Sequence, residues 1–362
     1  MRRMKDDSPI RVALVGYGYA GKAFHAPLIV STPGMELACV VSSRPGDVHD
    51  DLPDVEVAAD PAHAFERDGI DLVVIAVPNA QHAPLAAAAL RADRHVVVDK
   101  PFTLTLAEAR ELRALANRRE RLLSVFHNRR WDSDFLGVKQ VIDDGRIGEV
   151  VHFESHIDRF RPQVRTRWRE SAQPGGGIWF DLGPHLIDQA LQLFGLPQAV
   201  QADLAALRPD AQTDDWAHAV LHYPQHRVLL HASMLVAGGS ARFTVHGTRG
   251  SVVKPRIDPQ ETQLLAGLRP GDPGWGEDDD ALLLYPGDAP METLAAPRGD
   301  QARYYAGMRD AIRGLAPPPV TDAQALAVMA VLEAGVESAR TQCAVAPALD
   351  AEERESFSRV AN

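Results

Sequence analysis

The chain has 362 residues and a formal charge of −11, with 45% hydrophobic and 24% charged residues. That length and composition suit two globular domains with full cores. The acidic balance argues against general nucleic-acid binding and against docking on an anionic membrane, and no apolar run approaches the ~20 residues that span a bilayer. Cys39 and Cys343 lie far apart and belong to no metal-spaced set, which fits a reducing, cytoplasmic setting. The N-terminal MRRMKDDSPI is charged and has no apolar core, so no signal peptide is expected.

Residues 10–18 read as a buried strand running into Gly16-Tyr17-Gly18-Tyr19-Ala20-Gly21, a G-x-G-x-x-G turn. A helical pattern follows to about Ser31, then a second apolar strand over residues 36–43. Strand, glycine turn, helix and strand are the context a dinucleotide fingerprint requires. The glycines permit the turn and let backbone approach a pyrophosphate at the helix N-terminus. NAD enzymes place an acid about 20 residues on, to hold the ribose 2′-hydroxyl. Here the second strand ends in Ser42-Ser43-Arg44, and no carboxylate appears until Asp47. Hydroxyls and a guanidinium suit a 2′-phosphate, so NADP is the expected cofactor and NAD the alternative.

Further parallel strands are expected at residues 55–59, 71–78, 95–101 and 121–126, with helices between them. The run DLVVIAVP has no alternation, as a strand buried on both faces should have none. Pro78, Asn79 and His82 follow it, and Asp99-Lys100-Pro101 follows the next strand. Residues at the carboxyl ends of parallel strands line the ligand crevice, so Pro78, Asn79, His82, Asp99 and Lys100 join Tyr17 and the glycines as cofactor-site candidates. Lys100 could also stabilise an alkoxide. The first domain is expected to span residues 1–127.

Residues 128–362 form the second expected domain. It opens on the polar, aromatic stretch HNRRWD and a helix over residues 133–145, then turns strand-rich, with alternation that suggests antiparallel pairing. Within it lies QPGGGIWFDLGPHLIDQALQLFG. Pro184 suits the first position of a helix, with Gly183 as N-cap. Asp181 and His185 are four apart, so one side of the helix mouth can carry both. A first-turn imidazole is kept neutral by the helix dipole and can act as a base. Asn128, Arg129, Trp131, Arg159, Arg167, Trp168 and Trp179 are candidate substrate contacts. Trp275 reads as a packed loop side chain, residues 300–314 and 322–340 as helices, and the tail from Leu349 as a loose helix. No ligand-spaced metal cluster appears, so no metal is expected.

With these motifs placed, the chain resembles the glucose–fructose oxidoreductase / inositol dehydrogenase / rhizopine-catabolism (Gfo/Idh/MocA) family over essentially its whole length. The family's E-K-P motif appears as Asp99-Lys100-Pro101 and its D-x-x-x-H pair as Asp181 and His185. The stretches VVVDKPFTLT, HNRRWDSDF and RTRWRE resemble the branch of NADP-dependent scyllo-inositol dehydrogenases. The resemblance implies an α/β fold: an N-terminal Rossmann domain plus a C-terminal α+β domain with an open, mostly antiparallel sheet. It implies Lys100, Asp181 and His185 as catalytic residues, with His185 the general base. The substrate would be a cyclic polyol or sugar. Two other readings are an aldose or dihydrodiol dehydrogenase and a non-catalytic NAD(P)-binding sensor. The exposed face of an open sheet implies a homodimer or homotetramer.

Overall fold

The computed structural model describes residues 8–361; the charged N-terminal residues 1–7 lie outside the described residues. The chain forms two compact units. One comprises Met1–Asn128, Gln260–Trp275 and Asp300–Ala325; the other comprises Arg129–Pro259, Gly276–Gly299 and Leu326–Asn362. The chain crosses to the second unit after Asn128 and returns to the first twice. The expected second domain lends two segments to the first unit, bringing the helix Arg303–Ile312 against the Rossmann core.

The first unit holds six parallel strands: β1 (Ile10–Val15), β2 (Met35–Val41), β3 (Glu56–Ala58), β4 (Leu72–Ile75), β5 (His95–Val98) and β6 (Leu123–Val125). Their order is β3-β2-β1-β4-β5-β6, so the chain reverses direction across the sheet between β1 and β4. A crevice opens at such a switch point, beyond the carboxyl ends of the strands. Val73, Val74, Ile75, Val96, Val97 and Val98 are fully buried, which is why these strands carry no polar face. Ser124 of β6 donates its hydroxyl to the Val320 carbonyl at 2.8 Å and accepts from Tyr304 at 2.9 Å, which ties a late segment to this sheet.

The second unit holds eight strands: β7 (Val150–Asp158), β8 (Ala199–Ala205), β9 (Trp216–His222), β10 (Arg227–Ser233), β11 (Phe243–Gly247), β12 (Gly250–Lys254), β13 (Leu282–Pro286) and β14 (Glu292–Leu294). Their order is β14-β13-β12-β11-β7-β10-β9-β8. All pairings are antiparallel except β7 with β10, which run parallel. That exception follows from the connection: between β7 and β10 lie the helix Ile178–Phe194 and the β8–β9 hairpin. The helix packs on β7, β9 and β10 and covers one face of the sheet. Alternation does the rest: Phe153, Val228, Leu230, Ala217, Ala219 and Leu221 are buried beneath it, while their neighbours point the other way.

Candidate active site

The first unit supplies a nucleotide cradle. Gly16 has φ +99°, and a Cβ there would overlap the Ala76 carbonyl at the end of β4. A Cβ at Gly21 would overlap the Gly16 carbonyl, whereas one at Gly18 meets no atom within 4 Å. Two glycines are thus demanded by the turn, and the third leaves the space above it clear. The helix behind the turn opens as π-helix, Gly21–His25, and continues as Ala26–Val30. These features fit a dinucleotide pyrophosphate.

Beside the turn lies a cleft of about 750 Å³, lined by Tyr17, Lys22, Arg44, Asp51 and Arg269 among others. Its cations already have partners. Lys22 pairs with Asp51 at 2.7 Å, and Arg44, whose side chain is 64% exposed, pairs with Asp47 at 2.9 Å. Tyr17 donates its hydroxyl to Asp51 at 3.0 Å, which pins the glycine turn. Ser42 Oγ accepts the Arg44 backbone N–H at 3.1 Å, so this serine shapes the loop; Ser43 is exposed. The acid is therefore present after all, at Asp47, but it faces Arg44.

The loops after β4 and β5 are tied together by His82. It is fully buried, with Nδ1 2.7 Å from the Pro101 carbonyl and Nε2 2.9 Å from the Val77 carbonyl. Burial lowers its pKa, outweighing the pull of Asp99. Both ring nitrogens are thus taken up by backbone carbonyls, one just before Pro78 and one just after Lys100. Asp99 accepts the Lys100 backbone N–H at 2.8 Å and faces His25 Nε2 at 3.7 Å. Burial raises the Asp99 pKa, but His25, Lys100 and His82 together outweigh it and hold it down to about 2. His25 Nδ1 in turn lies 2.6 Å from the Tyr305 hydroxyl. Lys100, half-buried at the end of this chain of contacts, begins a cis peptide to Pro101. His25 was detectable in sequence only as a helix residue; Tyr305 comes from so far along the chain that nothing local marks it.

The second unit carries Asp181 and His185 on the helix Ile178–Phe194. The helix starts six residues before the expected Pro184, with Gly177 as N-cap, and Pro184 lies inside it. The cap is remote: Asp214 Oδ2 accepts the Trp179 N–H at 2.8 Å, and its carbonyl accepts that of Ile178 at 2.8 Å. His185 is therefore the eighth helical residue, beyond the first turn where the dipole acts, and that argument for its neutrality fails. The i,i+4 geometry survives and leaves both side chains on one face. His185 is 7% exposed. Asp181 faces Arg169 at 3.4 Å, and Arg169 stacks over Trp168 at 4.4 Å.

Arg167, Arg169 and Asp181 line one small cleft with Glu170. Glu170 receives Arg167 Nε at 2.6 Å and Arg208 at 3.0 Å, so Arg167 is at least partly structural. Trp131 and Arg159 are half-buried. Three expected substrate contacts have structural work instead. Trp179 is 1% exposed, wedged against Gly183 and Gly335, and donates Nε1–H to the Leu332 carbonyl at 3.0 Å. Arg129 is buried on Asp132 at 2.9 Å. Asn128 is buried and donates to Gln301 at 2.9 Å in the first unit. Trp275 is buried, as a packed loop side chain should be.

A cradle of this kind, with a lysine past β5, belongs to nicotinamide-dependent oxidoreductases as a class. The chain is a member of the Gfo/Idh/MocA oxidoreductase family: residues 10–127 match its NAD-binding Rossmann fold and residues 139–346 its C-terminal alpha/beta domain. It is 56% identical to an uncharacterized oxidoreductase of Escherichia coli, YdgJ, over 91% of this chain and 96% of that one. It is 36% identical to the NADP(+)-dependent scyllo-inositol 2-dehydrogenase IolW of Bacillus subtilis, over 93% and 96%. An oxidoreductase structure from Klebsiella pneumoniae superposes with a TM-score of 0.93 at 57% identity, covering 98% of this chain and all of that one. The protein is thus an NAD(P)-binding oxidoreductase, and among its described residues no helix is long and apolar enough to cross a membrane.

Proposed function

We propose that the protein oxidises a hydroxyl of a cyclic polyol or sugar, inositol-like in shape, with NADP as cofactor. The observation that carries this reading is the joint presence of Lys100 past β5 and the Asp181/His185 pair on one helix face; a binding protein needs neither. The likeness to an NADP-dependent scyllo-inositol dehydrogenase supports the substrate class. In this reading an imidazole nitrogen of His185 takes the hydroxyl proton, and Asp181 orients the ring or the substrate. The Lys100 ammonium stabilises the oxygen as charge develops on it. The bound nicotinamide supplies the hydride acceptor. Trp131, Arg159, Arg167 and Trp168 remain the candidate substrate contacts.

The test is a panel of inositols, aldoses and dihydrodiols assayed by NADPH absorbance with NADP and NAD. Turnover of an inositol is expected, with His185→Ala losing ~10²-fold or more while still binding NADPH. Lys100→Ala should lose as much or more. Because both groups are assigned to one oxygen, the double variant should lose far less than the product of the two single losses. A fully active His185→Ala enzyme removes the base. Turnover of aldoses or dihydrodiols alone reassigns the substrate. NADPH binding with no turnover of any substrate favours a sensor.

A further inference from the structure

The sheet face turned away from the helix Ile178–Phe194 carries a second constellation. Successive strand residues point to opposite faces, so Phe153, Ser155 and Ile157 of β7 are buried while His152, Glu154, His156 and Asp158 share the other face. His231 of β10 pairs with His156, and His218 of β9 pairs with His231. Three residues from two strands thus meet. His156 Nδ1 lies 3.5 Å from one Asp158 oxygen and His231 Nε2 lies 3.7 Å from the other.

Neither contact has hydrogen-bond geometry, and the atoms concerned are buried. The Asp158 side chain is 3% exposed, and neither of its oxygens has a partner in hydrogen-bond geometry; nor does His156 Nδ1. An acceptor pair this deep is costly unless something neutralises it, and the nearby Ser240 and imidazole rings favour the charged carboxylate without reaching hydrogen-bond geometry with its oxygens. One atom from each residue lies within 4.8 Å of the other two. A cation with bonds of ~2.0–2.1 Å holds its ligand atoms roughly 3–3.5 Å apart, so a small inward movement would close the set around an ion.

The outer ring nitrogens are committed in the sense a metal requires. His156 Nε2 lies 3.1 Å from a Glu154 oxygen. A carboxylate only accepts, so that nitrogen carries a hydrogen, and Nδ1 is the nitrogen turned to Asp158, from which a bound cation would displace any proton. His231 Nδ1 lies 3.4 Å from His218 Nδ1, leaving Nε2 to face the same point. A carboxylate or a second ring behind a ligating imidazole fixes its tautomer and raises its basicity.

We propose that His156, Asp158 and His231 form a binding site for a divalent zinc-class cation that clips β7 to β10. Two imidazoles and one carboxylate suit zinc or its neighbours better than calcium or magnesium, which prefer oxygen alone. The site lies on the opposite face of the sheet from the helix of His185, and no step of the proposed reaction uses it. Sequence spacing conceals it, because His231 belongs to a distant strand.

The test is calorimetric titration of chelator-stripped, full-length protein with zinc, with cobalt as an optical probe of the ligands. One zinc per chain at micromolar affinity or tighter is expected, with cobalt absorption typical of nitrogen and oxygen donors. Asp158→Asn and His231→Gln should each weaken binding by ~100-fold or more, and Glu154→Gln by ~10-fold. NADPH affinity, read on the same samples, should not move. If a ligand variant fails to fold, Glu154→Gln decides. No saturable zinc uptake by wild type, or uptake unchanged in Asp158→Asn or Glu154→Gln, overturns the site.

Discussion

At neutral pH the Asp99 carboxylate is ionised inside the first unit, held by His25 and by the Lys100 backbone N–H. Its folded pKa of about 2 lies below the ordinary aspartate value of 3.8. A depressed carboxylate adds stability that is full above pH ~4 and is lost as the pH falls towards 2, amounting to about 2 kcal/mol. Asp99→Asn should therefore lower stability at pH 7 by about that amount and flatten the acid limb between pH 4 and 2, measured by urea unfolding. Equal acid limbs in the two proteins would remove His25 as its partner. Cofactor choice is decided at the same scale. On the proposed NADP reading Arg44 would pair with the 2′-phosphate, but it is exposed and already paired with Asp47, so the phosphate must compete. Exposed pairs contribute ~0–1 kcal/mol, which sets the Arg44→Ala loss for NADP at about fivefold, with NAD nearly unchanged. Asp47→Asn should strengthen NADP, and Ser43→Asp should shift preference towards NAD. Equal kcat/KM for both cofactors in the wild type would show that this loop does not select.

The helix Ile178–Phe194 is the element on which the second unit depends. It buries Leu182, Leu186, Ile187, Ala190 and Leu191 against the sheet and carries Asp181 and His185. Its start is set by Gly177 and Asp214. Gly177 has φ +96°, and a Cβ there would run into the Asp214 carboxylate. Gly177→Ala should thus destabilise by ~1–3 kcal/mol, seen as a lower Tm. Asp214→Ala removes the acceptor for the first turn and should cost ~1–2 kcal/mol. Burial raises the Asp214 pKa more than its backbone hydrogen bonds lower it. Asp214→Asn keeps an acceptor without a buried charge, so it should be close to neutral. Equal losses in Ala and Asn would show that the charge matters more than the acceptor.

At the scale of the whole molecule, the reason for expecting an oligomer has changed. The apolar side of the eight-stranded sheet does not need a second copy, because the chain's own helix covers it. The other side is half-exposed and rich in His, Glu and Trp. A homodimer or homotetramer would have to bury that polar side, with bridging water and hydrogen bonds. Light scattering at micromolar concentration is expected to give a dimer or larger; a clean monomer would mean that this face stays in water.

Much of this was legible in the residues themselves. Continuous apolar runs such as DLVVIAVP mark buried parallel strands, and Gly16 and Gly21 mark a turn that only glycine can make, because each answers a local steric demand. The i,i+4 relation of Asp181 and His185 needs only helical periodicity. What sequence could not decide depends on partners brought from elsewhere in the chain. Pro184 looked like a helix start until Asp214 capped the chain six residues earlier. Trp179 looked like a binding residue until Gly335 and Leu332 enclosed it. The parallel β7–β10 pair, the Tyr305–His25–Asp99 chain and the His156–Asp158–His231 cluster likewise join residues far apart in sequence. Local sterics and periodicity can be read along a chain; capping, burial and charge pairing between distant segments exist only once tertiary structure supplies the second partner.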